Sequence, residues 1–230
     1  MMDVALDHRT RVLLVLVGLF VIALGVGDLI SPKLFDIGLG PLHATMSAGM
    51  IAFPLTFVVT DILNEFYGAR VARFVTFLAF AFAVLVFLLV TVAIAMPWSA
   101  VIGAPGYAGV MPQEFDKVFG GSQRILLASL CAFLVGQLGD IYVFTRLKKL
   151  TANRKLWLRV TGSTVVSQFL DTVILQYIAW TGVLPGTVIM RLLWSSYAVK
   201  FLIAVGLTPV LYAANALLER RFGLRPAEVS

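Results

Sequence analysis

Six stretches of the chain are almost continuously apolar: Arg11–Ile30, Thr45–Asn64, Phe74–Met96, Arg124–Phe144, Val160–Thr181 and Leu192–Leu211. Each is long enough to cross about 30 Å of hydrocarbon as a helix. Lipid satisfies no backbone donor or acceptor, so helices are the expected form, and the alternation of barrel strands is absent. The pattern predicts an all-α polytopic membrane protein, a six-transmembrane-helix bundle forming one domain over residues 1–230. The first run follows a short basic start, Arg9 and Arg11. It is longer than a signal-peptide core and no clear A-x-A site follows, so it is read as a retained helix.

The polar positions that interrupt these runs carry the candidate chemistry. The second helix holds Asp61 and Glu65 one turn apart, with Thr56, Thr60 and Asn64 as a polar ridge beside them and Phe53-Pro54 at its start. Residues at i and i+4 share a face, and Pro54 removes a backbone donor and can kink the helix. Glu65 can also mark the cytoplasmic end of the span and pair with Arg70 or Arg73. The fourth and fifth helices both carry Gln-x-x-Asp, as Gln137…Asp140 and Gln168…Asp171. A three-residue spacing puts amide and acid on one face. Because the helices are antiparallel, the two pairs are expected at similar depth. Gly136 and Gly139 allow close approach of backbones, and Thr164, Ser167, Thr172 and Gln176 extend the stripe. In the sixth helix Tyr197 and Lys200 share a face, with Trp194 one turn back.

An ionisable side chain at bilayer depth is costly and marks a functional site by default. The alternatives are hydrogen-bonded glue between helices for the amide–acid pairs, and charge balance for Asp140 or Asp171 in the case of Lys200. Two copies of one amide–acid pair near a lysine favour a solute site. Carboxylates, amides and aromatic rings together suit a planar heterocycle with donors and acceptors on its edge, and would also serve an amino acid or a polyol.

Composition agrees with the pattern: of 230 residues, 60% are hydrophobic and 13% charged, against about half and a quarter in soluble domains. The net charge of +6 does not point to nucleic acid, because the basic residues flank the spans. Thirteen (Arg9, Arg11, Arg70, Arg73, Arg146, Lys148, Lys149, Arg154, Lys155, Arg159, Arg220, Arg221, Arg225) fall on one side and four (Lys33, Lys117, Arg124, Arg191) on the other. By the positive-inside rule both termini are cytoplasmic. Three plus three helices admit an inverted repeat, for which an offset of 110 aligns Asp61 with Asp171 and Tyr67 with Tyr177. The loop Pro97–Ser122 spaces Phe115, Val118 and Phe119 as a helix does, and is read either as a short interfacial helix or lid or as a flexible loop with an apolar anchor. Cys131 is the sole cysteine, and His8 and His43 the only histidines. No metal set, cofactor motif or catalytic motif is present, so an enzyme is not expected.

The chain resembles the queuosine precursor transporters, also called the vitamin uptake transporter family. The residues that carry the resemblance are Phe53-Pro54-Leu55, Thr60-Asp61…Glu65…Tyr67-Gly68, Arg124 to Phe133, Gln137…Asp140, Ser167-Gln168…Asp171-Thr172-Val173-Ile174, and Tyr197…Lys200 with Thr208-Pro209. The resemblance implies a multi-pass protein of the bacterial inner membrane that imports 7-cyano- or 7-aminomethyl-7-deazaguanine. The expected substrate-binding residues are Phe53, Thr56, Asp61, Glu65, Gln137, Asp140, Gln168, Asp171, Tyr197 and Lys200. The partners expected are the lipid bilayer and a purine-like small molecule, with no nucleic acid and with a homo-oligomer left open. The alternative is the substrate-binding subunit of a multi-component vitamin importer, which would dock an energising partner through an A-x-x-x-A stripe that the first helix lacks.

Overall fold

The computed structural model describes residues 7–31, 33–39, 42–104, 106–120, 123–152 and 154–227. Helix α1 (His8–Ile30) starts at Asp7, whose carboxylate accepts from the Thr10 backbone N–H at 3.1 Å. That bond satisfies an amide that the first turn leaves unpaired. The chain then turns back through a hairpin, β1 (Leu34–Leu39) antiparallel to β2 (Leu42–Ser47), with Leu39 opposite Leu42. The all-helical expectation contained no such hairpin, and its second span began at Thr45. Residues 45–47 instead belong to β2, and a 3-10 turn, Ala48–Ile51, leads into α2 (Phe53–Ile62). Pro54 lies in the first turn of α2, where its missing N–H has no helical partner to lose, so it opens the helix instead of kinking it.

α2 widens into a π turn, Leu63–Tyr67, and stops at Gly68. Gly68 has φ +80°, a conformation that a Cβ would make costly. α3 (Gly68–Ala95) returns across the bundle. Ten residues of α2 and five of the π turn rise only about 22 Å, less than the hydrocarbon thickness. α2 is therefore a short, broken crossing. The loop beyond α3 contains a 3-10 turn, Ala100–Gly103, and α4 (Pro112–Phe115), continued by a π turn to Gly120. Phe115 lies 4.6 Å from Phe119 and 5.6 Å from Trp98, ring centre to ring centre, so the short helix is held by a cluster of its own rings.

The last three long helices are α5 (Gln123–Leu150), α6 (Leu156–Trp180) and α7 (Gly186–Phe222). Each outruns its apolar stretch, because a helix continues through polar residues once it leaves lipid. α7, at 37 residues, rises about 55 Å. Both ends of the chain meet at one end of the bundle: Arg9 donates to the Phe66 carbonyl at 2.8 Å, and the Ala227 N–H to the Glu65 carbonyl at 2.7 Å. This end is called the termini face below, and the opposite end the hairpin face.

Polarity is inverted relative to a water-soluble fold. Val15 and Ile22 of α1, Phe74 and Leu89 of α3, and Leu202 and Val210 of α7 are exposed, as suits contact with lipid tails. α6 packs between α5 and α7 and buries Ser163, Ser167, Gln168 and Thr172 almost completely. α1, the stretch Ala48–Ala95, Leu126–Leu150 and α7 are long and apolar enough to cross a membrane by length and composition alone, whereas α6 is not. The polar stripe of α6 is thus shielded by its neighbours. α5 and α6 approach closely at Gly136, where a Cβ would stand 3.1 Å from the Asp171 Cβ.

Candidate functional site

Three polar layers run along the interior between α2, α5, α6 and α7. The layer nearest the hairpin face is built on Asp171 of α6, whose carboxylate pairs with the Lys200 ammonium of α7. Lys200 is buried and also sits 5.0 Å from the centre of the Phe53 ring at the start of α2. Lys200 therefore balances Asp171 and not Asp140. Phe53 in turn stacks on Phe57 at 4.4 Å. On the other side of α6, Phe169, Trp194 and Tyr197 form a ring cluster, with Phe169 and Tyr197 5.5 Å apart and edge-on. The Tyr197 hydroxyl donates to the Val165 carbonyl at 3.1 Å, which ties α7 to α6.

The middle layer contains Asp61, Asp140, Gln137 and Gln168. Asp140 accepts from Ser167 Oγ at 3.2 Å through one oxygen, and Ser163 lies beside it. Its other oxygen, Asp61 Oδ1 and Gln168 Oε1 are buried without a partner among the described residues. Thr60 donates to Gln137 Oε1 at 3.0 Å, so the amide expected on the solute is partly engaged in joining α2 to α5. Thr56 donates to the Phe53 carbonyl at 2.8 Å. A cavity with room for about one water lies beside Asp61, between Phe57, Val160, Thr164, Ala204, Leu207 and Leu211.

The two Gln-x-x-Asp pairs are not level. Ser167 faces Asp140 and Gly136 faces Asp171, so the two acids stand one helical turn apart, about 6 Å. The antiparallel direction of the helices was legible in the sequence. Their register depends on where Gly136 lets the backbones meet.

The third layer lies at the termini face. The Glu65 carboxylate accepts from Arg159 Nη2 at 2.6 Å and lies 3.4 Å from Lys148 Nζ. Lys148 also donates to the Glu65 carbonyl at 3.0 Å. Arg70 and Arg73, the neighbours expected to pair with Glu65, are not its partners in these ion pairs. Lys148 and Arg159, counted among the loop cations, are buried instead. Their burial follows from the length of α5 and α6, which carry helical structure past the apolar runs and fold both cations inward over Glu65.

One acid escaped the sequence reading. Asp28, near the end of α1, accepts from Ser129 Oγ of α5 at 3.0 Å. The available signal was an acid within the first apolar run, two residues from its end. Among the described residues no group of three or more His, Cys, Asp or Glu side chains is arranged to hold a metal ion.

A multi-pass bundle that shields a polar interior from lipid, with unpaired acceptors at its centre and a closed ion-pair layer at one end, has the build of a membrane transporter. A family model described as "Putative vitamin uptake transporter" matches residues 47–214. The chain belongs to that family, whose members are transporters and not enzymes. It is 32% identical over 175 residues to the "Probable queuosine precursor transporter" of Bacillus subtilis, covering 76% of this chain and 73% of that protein. It is 30% identical over 182 residues to the "Queuosine precursor transporter" of Escherichia coli, covering 75% and 74%. A Haemophilus influenzae protein named "Probable queuosine precursor transporter" is 31% identical over 138 residues, covering 60% and 52%. No solved structure matches the chain.

Proposed function

We propose that this chain imports queuosine precursors, 7-cyano- or 7-aminomethyl-7-deazaguanine, across the bacterial inner membrane, with both termini in the cytoplasm. The observation that carries the proposal is the set of buried acceptors without partners, Asp61 Oδ1, Asp140 Oδ2 and Gln168 Oε1, at the centre of the bundle. Buried acceptors of this kind are costly unless something donates to them. A guanine-like edge presents adjacent ring and exocyclic N–H groups, which a carboxylate accepts in pairs. Phe53 offers an apolar ring face, and Lys200 a donor for a ring carbonyl. The names of the three relatives point to the same solute.

The remaining expected site residues take supporting places in this scheme. Thr60 and Gln137 hold α2 against α5, Thr56 ties its hydroxyl to the Phe53 carbonyl within α2, and Tyr197 holds α7 against α6. Asp171 orients Lys200 through their ion pair. Glu65 closes the layer beneath the solute. The short, broken α2 resembles the discontinuous helices that line transporter sites in other folds. The space beside Asp61 is far smaller than a purine, so admission of the solute requires helices to separate.

Uptake of labelled 7-deazaguanines, measured against guanine in cells lacking queuosine synthesis, tests the proposal. Accumulation of either precursor that depends on this chain is the expected result, and no accumulation of either overturns it. Competition by unlabelled analogues tests edge recognition. An analogue lacking the 2-amino group should compete about ten- to a hundredfold less well, as a buried acceptor left unpaired costs about 1–3 kcal/mol. Equal competition would show that stacking and shape select the solute.

A further inference from the structure

The corner where α2 turns into α3 is clamped by both ends of the chain. Gly223 adopts φ +63° and ends α7, a backbone turn that glycine makes without strain. It redirects residues 224–227 under the bundle. Leu224 is buried with Leu63 and Phe66 in the apolar cluster. The Ala227 N–H then donates to the Glu65 carbonyl at 2.7 Å, and the Ala227 side chain lies against Gly68. From the other end of the chain Arg9 donates to the Phe66 carbonyl at 2.8 Å and stands 5.3 Å from the centre of the Tyr67 ring. The Tyr67 hydroxyl donates back to the Arg9 carbonyl at 2.8 Å.

All of these bonds converge on the π turn Leu63–Tyr67. The same turn presents Glu65 to Lys148 of α5 and Arg159 of α6. Four helices and two chain ends thus meet at five residues, one turn beyond Asp61. Arg159 keeps two guanidinium nitrogens, Nε and Nη1, buried without partners among the described residues. Its chain neighbour Val160 lines the small cavity that Asp61 also lines. Arg159 therefore stands between the acid that seals this end and the acid of the middle layer, with donors to spare.

We propose that Glu65, Lys148 and Arg159, strapped by residues 224–227, are the gate that closes the termini face of the transport path. Release of the strap frees the π turn. The ion pairs then part, and the Asp61 layer opens to that side. Arg159 acts as a positioning residue that links the gate to the solute layer. Arg9 and residues 224–227 lie outside the stretch 47–214 matched by the family. The inference rests on the transport reading, but its test needs no substrate.

The test places a reporter cysteine at Thr164, which lines the small cavity with Asp61, in a background with Cys131→Ala. A membrane-impermeant maleimide is added to inside-out and to right-side-out vesicles, so both faces are sampled. The intact chain should label slowly from both sides. Deleting residues 224–230, or Glu65→Gln, should raise the labelling rate about tenfold from the termini side only, as a population shift toward the open state requires. Arg159→Lys, which keeps the charge and loses the fork, should give a smaller increase. An unchanged rate in the tail deletion, or an equal rise from both faces, overturns the gate. If Glu65→Gln fails to insert, the tail deletion, which removes no ion pair, carries the test. A one-sided rise in a chain that takes up no deazaguanine would leave the gate standing and remove the substrate reading.

Discussion

Asp61 and Glu65 stand one turn apart on the same helix, both almost fully buried, and their surroundings are opposite. Glu65 is surrounded by cations: Arg159 and Lys148 reach its carboxylate from two other helices. Asp61 and Asp140 each keep one oxygen without a donor among the described residues and take part in none of the ion pairs there, whereas the Glu65 oxygen that accepts no hydrogen bond, Oε2, faces Lys148 at 3.4 Å. Burial alone does not distinguish a structural acid from a functional one. Pairing with cations does: an acid saturated by cations holds helices together, and an acid without them leaves capacity for something that arrives.

The sharpest way to break this comparison is to remove a carboxyl from the unsaturated layer. Asp61→Asn and Asp140→Asn should each lower precursor uptake about a hundredfold or more, while the protein still inserts and elutes as a folded species. Retained uptake in both variants would make these acids structural. At the saturated layer the effect should fall on stability. Glu65→Ala leaves two buried cations without their acid, a change that costs about 3–5 kcal/mol. Thermal unfolding in detergent should show a large loss, and an unaltered midpoint would deny the ion pairs their structural role.

Two smaller tests sharpen the contrast within the α5–α6 contact. A Cβ on Gly136 would meet the Asp171 Cβ at 3.1 Å, whereas a Cβ on Gly139 would meet the end of the Leu170 side chain at 3.2 Å. Gly136→Ala should therefore cost about 1–3 kcal/mol by overpacking and disturb the Asp171–Lys200 pair, with Gly139→Ala close to silent because a leucine tip can move. Equal effects on stability and uptake would mean that the helix contact is looser than these distances require. A smaller effect than that of Gly136→Ala is expected for Thr60→Val, which removes the donor to Gln137 Oε1 and should cost about 1 kcal/mol with uptake only mildly reduced.

Much of the fold was legible in the residue pattern because lipid imposes a simple rule. Runs of apolar side chains partition into hydrocarbon as helices, so a polytopic helical bundle follows from composition along the chain, and four of its helices are long and apolar enough to cross a membrane among the described residues. The candidate residues were legible for the same reason: Asp61, Asp140, Asp171 and Lys200 are expensive where they stand. The limits of the helices were less so. Hydropathy detects where a chain leaves lipid, and α5, α6 and α7 stay helical beyond that point. The hairpin 34–47 and the late start of α2 lay below the resolution of a twenty-residue window.

Which groups meet was decided only by tertiary structure. The sequence by itself placed acids and bases at approximate depths, and an ion pair depends on helix rotation and register as much as on depth. Lys200 meets Asp171, and Glu65 takes Lys148 and Arg159 from helices far along the chain. The close approach at Gly136 sets Asp140 against Ser167 and leaves the two acids a turn apart. A side chain reveals its own cost of burial wherever it occurs in a sequence. Its partner is fixed by packing between segments that share no local signal, so only the assembled bundle separates the acids that are satisfied from those that are not.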